Sequence, residues 1–130
     1  MKNNKKVTKV TIGKNVTTIS KNAFYGCTKL KTVTIGKNVT TIGDGVFKKC
    51  TSLTKISLPS KVKKIGKEAF SGCKKLGTIT IKSKYLKSVG KNAIKGIKKN
   101  AKIDVPNSKK KAYKKLFKSS TGFKKTMSIK

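Results

Sequence analysis

Three cysteines, three carboxylates and thirty-five lysines are the side chains of this sequence with chemistry to offer. Cys27, Cys50 and Cys73 recur at one interval, as if they occupied a single column of a stack. Neighbouring strands of a stack lie about 4.8 Å apart, which is within disulfide reach. Side chains in such a ladder run parallel rather than toward one another, however, and three cysteines cannot pair completely. The chain has no histidine and no C-x-x-C pair, so a zinc site has no support. We read the cysteines as buried, reduced thiols acting as small hydrophobes, with no metal and no cofactor.

The carboxylates are Asp44, Glu68 and Asp104, each in a different part of the chain. That spacing offers no acid/base pair and no triad, so no enzyme is expected. Asp44 shares a column with Lys21 and Lys67 and is expected to sit between two ammonium groups. Glu68 and Asp104 read as solvated.

The charge balance is extreme, with a formal net charge of +32, and every basic residue is lysine. Arginine makes the forked contacts to phosphate and to guanine edges, so its absence argues against a specific nucleic-acid binder. Lysine alone supports salt-sensitive attraction to polyanions such as cell-wall polymers, glycosaminoglycans or acidic proteins. The plainer reading is a solvated, solubilising coat.

The elements that must carry these residues come from a repeat. At 130 residues the chain has room for one domain. A hydrophobic share of 35% beside so much charge would by itself suggest disorder, but the apolar residues are regularly spaced. Residues 10–32 read VTIGKNVTTISKNAFYGCTKLKT and residues 33–55 read VTIGKNVTTIGDGVFKKCTSLTK, matching at roughly 14 positions in a period of about 23. A third copy covers 56–78. A fourth covers 79–102 with one extra residue, most simply Tyr85.

Stacking the copies gives apolar columns: Val10, Val33, Ile56, Ile79, Ile103; then Ile12, Ile35, Leu58, Ile81, Val105; and further columns through Val16, Ile19, Ala23, Phe24, Cys27 and Leu30. One coil cannot bury these residues alone, so neighbouring coils must supply the burial. VTI, TVTI and KISL alternate as half-buried strands do, and a second short strand follows at NVTTI, KVKKI and YLKSV. KNAFYGC and KEAFSGC look like one helical or 3₁₀ turn.

The phrase IGKEAFSGCKKL resembles the I-G-x-x-A-F-x-x-C-x-x-L signature of the BspA-like bacterial leucine-rich repeats. The resemblance covers 10–102 and extends toward the C-terminus. It implies an α/β fold of the right-handed, horseshoe type, β-rich with short helical or 3₁₀ turns. It also implies secreted or cell-surface proteins that adhere to host or cell-wall partners. The fourth copy departs, with Ile94 for Phe, Ile97 for Cys, and Asn100 or Ala101 for Leu.

After the repeats, residues 103–130 read as a C-terminal cap. Asn107 and Ser108 are capping types, and Ala112, Tyr113, Leu116 and Phe117 share one helical face. Met127 and Ile129 are placed on a last strand. Residues 1–9 are a basic lead-in with only Val7 to cover the layer of Val10, Ile12, Val16 and Phe24. We therefore expect either upstream repeats and a signal segment outside this chain, or self-association through this end. No run of residues is long and apolar enough to span a membrane as a helix.

The residues expected to face out from the first strands are Thr11, Thr34, Ser57, Thr80 and Asp104, flanked by Thr32, Lys55, Thr78 and Lys102. Exposed solenoid sheets are broad and rigid, which suits binding. Threonine is also simply a good exposed strand residue. Two functions follow: a non-catalytic binding or adhesion module using this face, or a polyanion binder acting through lysine charge.

Overall fold

The computed structural model describes residues 1–130. Each coil gives one strand to each of two parallel stacks. The first stack holds β1 (Lys9–Thr11), β3 (Thr32–Thr34), β5 (Lys55–Leu58), β7 (Thr78–Ile81) and β9 (Lys102–Asp104). The second holds β2 (Thr18–Ile19), β4 (Thr41–Ile42), β6 (Lys64–Ile65) and β8 (Ser88–Val89), paired in that order. Val10 is opposite Val33, and Ile56 is opposite Ile79, as the columns require.

Register locates the extra residue of the fourth copy. Leu58 pairs with Ile81, an offset of 23, whereas Lys64 pairs with Ser88, an offset of 24. The insertion therefore lies between Ile81 and Ser88, the interval that contains Tyr85. Tyr85 is thrown outward and is 64% exposed, while Ser83 is buried and donates to the Val62 carbonyl at 2.6 Å.

The segment between the second strand of one coil and the first strand of the next is not the helical turn expected from KNAFYGC. It is a run of tight turns in which two residues four apart, such as Asn22 and Gly26, take positive φ. A left-handed residue every few positions stops a right-handed helix from propagating. Its consequence is useful to the stack. Ala23, Tyr25 and Cys27 amides bond within the coil, whereas Asn22, Phe24 and Gly26 amides donate to Asp44, Val46 and Lys48 carbonyls of the next. A third hydrogen-bonded ladder thus closes each coil. It also stacks Phe47 between Phe24 and Phe70, at centroid distances of 5.7 and 5.6 Å with rings within 9° of parallel.

The C-terminal segment continues this bonding. Asn92 and Ile94 amides donate to Ser120 and Thr121, so a 3₁₀ turn at Ser119–Thr121 takes the place of a next coil. β10 (Ser128–Ile129) pairs in parallel with β9. Between them, helix α1 (Lys110–Leu116) buries Tyr113, and Phe117 is buried just beyond it. Ala112, expected on the same face, is exposed, and neither Asn107 nor Ser108 makes a side-chain cap, because those residues belong to a preceding 3₁₀ turn.

At the other end, the lead-in does more than the sequence suggested. Val7 packs against the core, and the Met1 carbonyl accepts the Cys27 thiol at 3.1 Å. Val16, Ala23 and Phe24 remain only partly buried. They line an open apolar hollow of about 490 Å³ with Val10, Ile12 and Ile19.

Candidate binding face

Alternation along each first strand sends Val10, Ile56, Ile79 and Ile103 inward and the residues beside them outward. All nine residues expected on the face lie on the first stack. Thr11, Thr32, Thr34, Lys55, Ser57 and Lys102 are exposed, and Thr78, Thr80 and Asp104 are half-exposed. Pairing sets them in two rows. Lys9 is opposite Thr32, Lys55 opposite Thr78, and Thr78 opposite Lys102. Thr11 is opposite Thr34, Ser57 opposite Thr80, and Thr80 opposite Asp104.

The face is not one continuous sheet. β1 and β3 form a pair of their own, separate from the sheet of β5, β7, β9 and β10. β3 and β5 keep the spacing of the repeat but are not paired with each other. Where the ladder is interrupted a groove of about 310 Å³ opens. Lys31, Thr32 and Val33 line one side, and Lys55, Ile56 and Ser57 the other, with Thr78 and Thr80 beyond. Lys31 and Val33 were not expected there. Val33 had been placed in a core column, yet the interruption leaves it half-exposed.

The charged groups elsewhere depart from expectation. Glu68, read as solvated, pairs with Lys48 at 2.8 Å. That hydrogen bond raises the Lys48 pKa, against a smaller opposing effect of burial. The carboxylate is 43% exposed, so the pair contributes about 0–1 kcal/mol. Asp44 does not bridge two ammonium groups: its Oδ1 accepts the Lys67 backbone amide at 2.8 Å. Nearby, the ammonium groups of Lys2, Lys48 and Lys49 stand 5.4, 5.6 and 5.9 Å from the Tyr25 ring centroid.

The three thiols are buried and free. Cys50 donates to the Phe24 carbonyl at 3.2 Å and Cys73 to the Phe47 carbonyl at 3.0 Å, so each is turned toward main chain of the preceding coil. Burial pushes the Cys50 pKa up to about 12 and that of Cys73 higher still. Such thiols are poor nucleophiles and poor metal ligands at neutral pH. No group of three or more His, Cys, Asp or Glu side chains is gathered where it could hold a metal. No helix is long and apolar enough to cross a membrane.

Parallel coils with strand ladders, stacked phenylalanines and outward-facing strand residues define a leucine-rich repeat protein. The chain belongs to the family described as the BspA type leucine rich repeat region (6 copies), whose profile matches residues 2–124. It is similar to the crystal structure of a leucine-rich repeat protein from Bacteroides ovatus ATCC 8483, with a TM-score of 0.78 and 32% identity. That likeness covers 95% of this chain and 30% of the other, so this chain spans less than a third of that protein's length. No curated protein matches it.

Proposed function

We propose that the chain is a non-catalytic binding or adhesion module of a bacterial secreted or cell-surface protein. In this reading it is a right-handed, horseshoe-type stack closed at the C-terminal end by α1, and its first-strand face engages a host or cell-wall partner. The observation that carries the reading is the groove of about 310 Å³, because Thr32, Lys55, Ser57, Thr78 and Thr80 all line it. Leucine-rich repeat modules generally bind proteins, and a rigid sheet presents side chains at low entropic cost.

A second reading rests on the net charge of +32: attraction to anionic polymers through lysine alone. Salt separates the two. Retention of the chain on immobilised extracellular-matrix proteins and on purified cell-wall polymers is measured from low salt to about 0.15 M. Binding that survives the higher salt favours the face; binding that vanishes leaves only charge. The partly buried layer of Val16, Ala23 and Phe24 adds a site for self-association, which light scattering over a range of concentrations tests.

A further inference from the structure

The register of the first strands gives the face a charge spacing as well as a charge. Across the paired strands β5, β7 and β9, the residue at one strand level is Lys55, Thr78 and Lys102, and in the separate β1–β3 pair it is Lys9 and Thr32. Lysine alternates with threonine in that sheet, so Lys55 and Lys102 are two strands apart. With strands about 4.8 Å apart, Lys55 and Lys102 stand about 9.6 Å apart. The adjacent row is Ser57, Thr80 and Asp104, with Thr11 and Thr34 at the matching level of the β1–β3 pair, four hydroxyls and one terminal carboxylate in all. Lys31 adds an ammonium group at the groove, which crosses both rows between β3 and β5.

We propose that this face takes a linear acidic polysaccharide carrying one carboxylate or sulfate per disaccharide, laid across the strands. The proposal rests on the first-strand face being the binding face. Two pyranose rings joined end to end cover the distance between alternate strands, so each anionic group meets a lysine while the sugar between them meets hydroxyls. An extended acidic peptide fits less well, because its same-face side chains recur about every 6.8 Å and fall out of step with the lysines. The row of hydroxyls supplies donors and acceptors that a sugar can use and a bare phosphate chain cannot. Asp104 would repel an anionic chain at its end of the row and so set one limit of the site.

The test uses hyaluronan oligosaccharides, which carry one carboxylate per disaccharide, titrated into the full chain at about 0.15 M salt. The informative variant is the double exchange Lys55→Thr with Thr78→Lys. It conserves net charge and uses residue types this row already holds, but it shifts the lysine by one strand. The expected result is a loss of about fivefold in affinity. Lys64→Thr, on the second stack where the preceding coil has Thr41, should bind as the parent does. Equal affinity in the parent and the exchanged variant overturns the register. Equal or tighter binding of poly-glutamate of matched charge assigns the face to an acidic peptide instead. Absence of hyaluronan binding overturns the polysaccharide class. The underlying reading then fails only if binding to matrix and wall polymers also ignores Thr34 and Ser57, so the two failures are separable.

Discussion

The Tyr113 hydroxyl donates to the Ser83 carbonyl at 2.7 Å and, on its other side, accepts the Leu86 amide at 3.1 Å. One phenol thereby satisfies two main-chain groups that the extra residue of the fourth coil takes out of the ladder. All three partners are buried, so a replacement that keeps the ring and removes the oxygen strands both groups. Tyr113→Phe should lower stability by about 1–3 kcal/mol, read from chemical denaturation. A change of a few tenths would mean that the clasp carries no energy.

Phe47 is fully buried between two parallel rings, whereas Phe24 is partly exposed at the open end. Phe47→Ala should therefore cost about 3–5 kcal/mol. Phe24→Ala should cost distinctly less. Urea midpoints of the two variants check the ranking.

The thiols make a pH prediction with a definite sign. Folded Cys50 keeps its proton to about pH 12. An unfolded thiol loses it near pH 8.5. Ionisation in the unfolded state therefore removes stability as pH rises above about 8.5, and the loss is complete near the folded value. Comparing the parent with Cys50→Ala cancels the lysine titrations common to both. The stability difference contributed by Cys50 should be flat below about pH 8 and fall steadily between about pH 9 and pH 12. Native-state thiol labelling should be slow at neutral pH, at the rate of opening rather than of free cysteine.

Lysine repulsion gives a salt prediction. With 35 basic and three acidic residues, raising salt from about 0.01 M to about 0.15 M should raise stability by about 1 kcal/mol, a few degrees in Tm. Thermal unfolding followed by circular dichroism reads this directly. A Tm independent of salt would show that the ammonium groups are too far apart to matter.

The fold was largely legible because a repeat multiplies weak signals. Val10 over Val33 and Ile56 over Ile79 are pairings that spacing alone predicts, and the registers reproduce them. The fourth copy's insertion was legible for the same reason, and of the last strand expected through Met127 and Ile129 the structure forms Ser128–Ile129. Local backbone geometry was not. Left-handed Asn22 and Asn92 and glycines such as Gly26 and Gly72 are types that favour positive φ, but Glu68 and Lys49 are not, so the mixed pattern read as a helical turn rather than as one that bonds between coils. Val7 read as an isolated residue because its coil partners lie downstream. The groove was missed because β3 and β5 carry the same alternation and the same period as strands that do pair, so nothing in their spacing sets this junction apart.

The claim that the first-strand face is the binding surface meets its most direct test in one pair of proteins. Thr34→Gln with Ser57→Gln changes one exposed hydroxyl residue on each side of the interruption, without changing charge. Retention of this variant and of the parent on immobilised extracellular-matrix proteins and cell-wall polymers is compared at about 0.15 M salt, with unfolding curves showing that both are folded. The account predicts that the parent is retained and the variant is lost from the same ligand. Equal retention of the two would contradict it.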